Sequence, residues 1–346
     1  MKLFLKVFVL CTVAFGCATC KNSQKIEIIP DEAKRTIDVL YDGKLFTSYI
    51  YPSDLEKPVL YPIYTANGTV ITRGFPLDPR PNERTDHPHH VGSWFNFGDV
   101  NGLDFWNNSN AVPADKKPGF GSIRHRGIIS AESASSHGTL VVAADWVDNT
   151  GKVLLKEETR FVFSGEGDWR FIRRTTQLTA RQDTVTFTDN KEGLIAIRMD
   201  RAFEEPASGR AEFIDSHGTI TRIEPDNEGV NGVYRNSEGQ EMEKGVWSKP
   251  ARWVSLSADK EGEKISVAII DHRNNPGHPA HSHARGYGLF SANNMGSQAL
   301  DKNEPLLVLH LKPGESVTFK HMIVVKTNGF VSDDDMNRLF ADFNNK

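Results

Sequence analysis

The stretch Thr36-Ile37-Asp38-Val39-Leu40-Tyr41-Asp42-Gly43-Lys44-Leu45-Phe46-Thr47-Ser48-Tyr49-Ile50-Tyr51 decides the fold class. It reads as two β-strands joined at Asp42-Gly43. That dipeptide is favoured in two-residue hairpin turns because both central residues take positive φ. The signal recurs along the chain. Residues 140–147 and 153–163 flank Asn149-Thr150-Gly151, and further strands are expected over 169–178, 193–202, 264–271, 306–311 and 316–325. In the last of these, Val317, Phe319, Ile323 and Val325 share one face at period two, with the polar His321 among them, and Pro313-Gly314 supplies the preceding turn. Only one helix is expected. Ser332 or Asp333 caps it, and Met336, Leu339, Phe340 and Phe343 recur at helical spacing. Many strands with almost no helix predict an all-β chain, a large β-sandwich with long loops and one C-terminal helix.

The N-terminus carries an export signal. Lys2 and Lys6 precede an apolar run over 7–16, too short for a bilayer, which needs about 20 residues. Ala14-Phe15-Gly16-Cys17 resembles a lipobox with a bulky Phe15, so Cys17 is the expected lipidation site. The expected organisation is a signal peptide over 1–16, a lipidated N-terminus and tether over 17–30, and one β-sandwich domain over 31–346. Ala18, Thr19, Cys20 and Lys21 bring no acidic run after Cys17, which favours the periplasmic face of the envelope over the cell surface. The membrane is then a partner through the lipid alone. All three cysteines lie in the first twenty residues, so the folded body has no disulfide framework, zinc-thiolate site or cysteine nucleophile. The formal charge of −4 is unclustered, and no basic patch suits nucleic acid.

Two long loops, 74–125 and 272–300, hold the chemistry. The first contains Arg84-Thr85-Asp86-His87-Pro88-His89-His90, with Trp94 and Trp106 nearby. Pro88 disfavours helix at His87. In an extended chain His87 and His89 project to one side and His90 to the other. Two imidazoles so spaced can ligate one metal, or one can act as acid–base while its neighbour orients a substrate. A divalent metal held by histidines therefore stays open, with no cofactor assigned. The second loop holds Asp271, His272, His278, His281, His283, Arg285 and Tyr287, with His281 and His283 on one face if extended. A third set, Lys191-Glu192 followed by Arg198, can supply acid–base and anion-binding groups, or be a solvated turn. Tryptophans beside the first cluster can stack on sugar rings, or simply be core. No G-x-S-x-G elbow, P-loop, H-E-x-x-H or dinucleotide fingerprint is present.

Asp86-His87-Pro88-His89-His90 followed by Gly102-Leu103-Asp104-Phe105-Trp106 resembles the family labelled methane oxygenase PmoA, a domain of unknown function of Bacteroidota and Planctomycetota. Lys191-Glu192-Gly193 with Ile197-Arg198 resembles its central motif. Gly245-Val246-Trp247-Ser248-Lys249 resembles its W-G-K segment, with Ser248 where glycine is usual. Asp271-His272 with Asn275, then His283, Gly286-Tyr287-Gly288-Leu289-Phe290 and Ala292-Asn293-Asn294, resembles its late motif. The label itself belongs to a subunit of transmembrane helices, which a β-rich chain cannot be. The resemblance implies instead a partner of carbohydrate degradation, and the fold type and histidines are similar to sugar mutarotases and some polysaccharide lyases. The expectation is a cell-envelope enzyme on oligosaccharides working by histidine acid–base chemistry, a lyase or dehydratase on a uronic-acid glycan. His87, His89, His90, Glu192, Arg198 and His283 are its expected catalytic residues. Arg84, Trp94, Trp106, Lys191, Trp247, Asp271, Tyr287 and Asn293 are the expected substrate contacts. A glycoside hydrolase, a sugar epimerase and a non-catalytic glycan-binding lipoprotein are the alternatives.

Overall fold

A computed structural model describes residues 25–345. The signal peptide, Cys17 and most of the tether lie outside the described residues. The hairpin at 36–51 forms as expected. Strands Thr36–Tyr41 and Lys44–Ile50 pair antiparallel across Asp42 and Gly43, with φ of 49° and 73°. Ile37, Val39 and Tyr41 turn inward at period two, and the residues between them stay partly exposed.

That hairpin sits near one edge of an eight-stranded sheet. Its order is Ile26–Asp31, Thr36–Tyr41, Lys44–Ile50, Val59–Ile63, Ser93–Phe97, Gly193–Arg198, Leu289–Asn293 and His281–Ser282. A second eight-stranded sheet runs Val233–Asn236, Trp253–Lys260, Glu263–Asp271, Ser316–Lys326, Trp169–Ala180, Val153–Glu166, Gly138–Val147 and Ser122–Glu132. The two inner faces share one apolar core, with Phe46 against Phe163 at 6.3 Å and Phe95 against Phe319 at 5.8 Å between ring centroids. The result is a large antiparallel β-sandwich.

The sequence reading needs three corrections here. Ile26–Asp31, all but its last residue assigned to the tether, is the edge strand paired with Thr36–Tyr41. The strand expected over 193–202 stops at Arg198, and Arg201–Phe203 is a 3-10 turn capped by Asp200. The strand expected over 306–311 begins at Val308 and pairs with Val185–Thr188 outside the two large sheets.

The helix Asp333–Asn344 starts at Ser332. The Ser332 hydroxyl accepts from the Asp335 N–H, and the Asp335 side chain accepts from the Ser332 N–H, a complete capping box. Met336 and Phe343 pack on Trp253, Ala268, Ile270, Met322 and Val324, the outer face of the second sheet. Short helices Met242–Val246 and Ser297–Leu300 also form.

The first sheet is likewise covered on its outer face. Every residue of Ser93–Phe97, Gly193–Arg198 and Leu289–Asn293 is buried. Central strands buried on both sides cannot show the apolar–polar alternation of a half-exposed strand. The stretch expected as one loop over 74–125 contains the strand Ser93–Phe97, and the segments on either side of that strand pack on this outer face, where the histidines collect.

Candidate functional site

The histidine loop is a turn, not an extended segment. The His90 N–H donates to the His87 carbonyl at 2.9 Å, and His87 has a φ of 47°. His87 and His90 therefore stack face to face, at 4.8 Å and 7° between planes, and His89 stands edge-on to both. This corrects the expectation that His87 and His89 share a side opposite His90. The stack continues in both directions. Tyr287 lies over His87 at 5.1 Å and Trp94 under His90 at 5.1 Å.

A buried arginine builds the turn. Arg73 donates to the carbonyls of Arg84, Asp86, His87 and His90, and to the Asp86 carboxylate. Arg198, fully buried, reaches the same Asp86 oxygen at 2.7 Å and His90 Nδ1 at 3.3 Å. A guanidinium can only donate, so that contact places the His90 proton on Nε2. These arginines, Arg198 foremost, hold the Asp86 carboxyl well below the usual range against its burial. Asp86 Oδ1 also lies 3.3 Å from His87 Nδ1, close enough for electrostatic support but without hydrogen-bond alignment.

The central strands bring in the other wall. Register places Trp94 opposite Ala196 and Ala196 opposite Ser291, and main-chain bonds join Ser291 to His283. One row thus runs Trp94, Ala196, Ser291, His283 across the outer face. Its two middle side chains are small, and Trp106 packs there, 5.2 Å from Trp94 and 6.1 Å from His283. The Asp104 carboxylate fixes Trp106 by accepting its N–H and that of Asn107.

The turn and the row enclose a cleft of about 260 Å³, whose walls include His87, His89, His90, His283, Glu192 and Tyr287. Glu192 lies 3.5 Å from His283 Nδ1 and 3.4 Å from Lys191 Nζ. Burial pushes the Glu192 carboxyl up, favouring its protonated form. Burial pushes the imidazoles down: His283 to about 3, His89 to about 2, and His90 well below its ordinary value. The cleft therefore opposes neutral imidazoles to a carboxyl biased toward its acid form. His89 Nε2, His90 Nε2 and His283 Nδ1 are buried ring nitrogens without a hydrogen-bond partner.

Lys191, Tyr287 and His283 line the cleft, and Trp247 stands beside it, 4.9 Å from His283. Other expected contacts are structural. Arg84 is spent on the buried Glu204 at 2.8 Å. Trp94 is fully buried beneath His90, so it offers no surface to a sugar. Trp106 is almost fully buried, although it borders the cleft. Asp271, buried between the sheets, accepts from Asn275, Asn294, Ala280 and His278. Asn293 ties down the carbonyls of Asn190 and Lys191. Arg198 acts from beneath, through Asp86, His90 and the Tyr287 ring at 4.6 Å. His281 lies outside the cleft.

Sequence reasoning missed Arg73, Glu243 and Lys57, and it named Arg285 in the second histidine loop without giving it a role. Glu243 and Arg285 line the cleft and pair with each other at 3.2 Å, and Arg285 lies 3.7 Å over Trp247. Among the described residues no group of three or more His, Cys, Asp or Glu side chains is placed to hold a metal ion, and no helix is long and apolar enough to cross a membrane.

Comparison with curated proteins gives no match. Among solved structures the galactosidase domain of alpha-galactosidase-sucrose kinase, AgaSK, aligns with 86% of this chain at 10% identity and a TM-score of 0.40. The chain spans 41% of that protein's length. A GalM/aldose epimerase homologue from C. elegans aligns with 89% of this chain and all of its own, at 10% identity and a TM-score of 0.32. A galactose 1-epimerase from Lactobacillus acidophilus gives 88% and 98%, at 11% identity and a TM-score of 0.34. The motifs that resemble the PmoA label find no PmoA family match, which corrects that assignment. The model that does match, over residues 36–341, is that of a family of unknown function, DUF6807, and the chain belongs to that family.

Proposed function

We propose that the cleft is the active site of an acid–base enzyme acting on an oligosaccharide, of lyase or dehydratase type on a uronic-acid glycan. The observation that carries this reading is the opposition, in one cleft, of neutral imidazoles and a carboxyl biased toward its acid form, with Lys191 and Arg285 as cations beside them. Lys191 and Arg285 take the sugar carboxylate and make the adjacent C–H more acidic. An imidazole of the histidine turn removes that proton, and His87, the most exposed of the three, is the base we assign. The electron pair forms the new C=C bond as the C–O bond breaks, and Glu192 gives its proton to the departing oxygen. His283 and Lys191 hold the Glu192 side chain in place.

The test is conversion of uronic-acid and neutral oligosaccharides by the full chain, read by mass spectrometry. Loss of water, or an unsaturated product at a cleaved bond, supports the reading. A second route has its own observation, because Glu192 and Glu243 line the same cleft and two carboxylates can hydrolyse a glycosidic bond. Gain of water would select it. An isomer of unchanged mass, detected by NMR, would select epimerisation, and binding without any turnover would select a glycan-binding lipoprotein.

We further propose lipid anchoring through Cys17 at the periplasmic face of the envelope. Palmitate labelling should disappear in Cys17→Ser, and persistence of the label in that variant refutes the anchor.

A further inference from the structure

Three cavities are strung together on this side of the sandwich. The cleft shares His89 with a smaller cavity of about 190 Å³, and that cavity shares Leu55 and Lys57 with a third of about 460 Å³. The third lies away from all the groups assigned above. Its floor is a stacked pair, Tyr51 on His125 at 3.9 Å and 29° between planes, and both rings are only part-buried. Three cations line it, Arg35, Arg124 and Lys57, and no acidic side chain does. Arg124 pairs with Glu56 at 2.6 Å, and Glu56 lines the smaller neighbouring cavity instead. Arg35 is exposed and makes no ion pair among the described residues. Lys57 is buried, with Nζ bonded only to the carbonyls of His89 at 2.8 Å and Trp106 at 3.5 Å.

We infer that this third cavity is a distal subsite that holds an anionic sugar unit of the oligosaccharide whose reacting unit occupies the histidine cleft. The inference rests on the carbohydrate reading above. A neutral aromatic pair offers the apolar stacking surface that a sugar ring's C–H face needs. Burial keeps the His125 imidazole neutral, with its basicity lowered to about 4, so that pair adds no cation of its own. A guanidinium with no partner offers a fork to a carboxylate or a sulfate ester. Lys57, its basicity lowered to about 7 by burial, stands between the two sites and gains charge when an anion arrives. The shared walls make the cavities neighbours, which sets the two units close enough to belong to one chain.

The experiment is calorimetric titration of the full chain with a uronate tetrasaccharide, its methyl ester, a sulfated tetrasaccharide and the uronate monosaccharide. The charged tetrasaccharides should bind. Arg35→Glu should weaken them by at least about tenfold, the worth of one charge-assisted contact, and leave the monosaccharide unchanged. Tyr51→Ala, which removes stacking without a charge, should weaken the tetrasaccharides too. Tighter binding of the sulfated probe, with the same dependence on Arg35, identifies the anion as a sulfate ester, and the reverse identifies a carboxylate. Arg35→Glu within about twofold of the parent, equal affinity for the methyl ester, or no binding of either charged tetrasaccharide overturns the inference. If no saccharide is converted while Arg35→Glu still separates tetrasaccharide from monosaccharide, the catalytic reading fails and the subsite stands.

Discussion

Burial at Glu192 and charge at Arg73 set the chemistry residue by residue. Glu192 sits between a neutral imidazole and a lysine, and burial raises its carboxyl above the ordinary carboxylate range. A general acid must carry its proton, so activity should fall as pH rises through that raised value. Glu192→Gln keeps the shape and cannot give up a proton. Its kcat should fall by about 100-fold or more, the usual share of a positioned acid, with KM little changed and the alkaline limb of the pH–rate profile gone. A variant that retains that limb would assign the acid elsewhere. Arg73 does not line the cleft and is a positioning residue. Its five bonds to the histidine loop need a planar fork, so Arg73→Lys should lose activity almost as fully as Arg73→Met. Recovery of near-parental turnover by the lysine variant would show that charge alone suffices.

At the scale of elements, the histidine turn and the strands under it depend on each other. Gly92 ends the turn at a φ of 54°, and a Cβ there would stand 2.2 Å from the Leu60 carbonyl oxygen on the neighbouring strand. Gly92→Ala should displace the turn and abolish turnover while the far-UV circular dichroism of the sandwich persists. Activity within about twofold of the parent would mean the turn tolerates the shift. The helix is a separable unit, and Ser332→Ala should cost about 1 kcal/mol in urea unfolding. How legible each element was follows from the range of its cause. The hairpin at 42–43 and the cap at 332 are written in adjacent residues, and both were readable. The turn at 87–90 was read as extended because Pro88 is the only local signal. The arginine that closes it lies in the segment before, and the one beneath it more than a hundred residues later. Glu243 was hidden in the same way, because its partner Arg285 is more than forty residues away. Trp94, Asp271 and Asn293 were read as ligand contacts because residue type alone does not disclose burial. Each is turned into the protein, and only the register and packing of the two sheets show it.

The whole molecule carries an electrostatic cost that its pH stability should reveal. Four buried imidazoles, His89, His90, His283 and His321, are held neutral chiefly by burial, His321 down to about 4. In the unfolded chain each protonates near about 6.5. Below that value the unfolded state binds protons that the folded state refuses, so stability is full above about 6.5 and falls as pH drops. The slope approaches about 1.4 kcal/mol per pH unit for each histidine that stays neutral. Glu192 and Glu204 act in the opposite sense. Their raised values let the folded state keep a proton the unfolded state gives up, so they add stability as pH falls toward about 4.3. The lowered histidines outnumber the raised carboxyls, and the histidines start first. Between pH 7 and 5 each neutral histidine accounts for about 2 kcal/mol, large against a total of about 5–15 kcal/mol for a folded domain. Urea unfolding at pH 7, 6 and 5 should therefore show a steady fall in midpoint. His321→Gln, far from the cleft and in the inter-sheet network, should lower stability at pH 7 yet flatten the pH slope by one histidine's share. A midpoint that does not move between pH 7 and 5 would show that these imidazoles protonate within the fold.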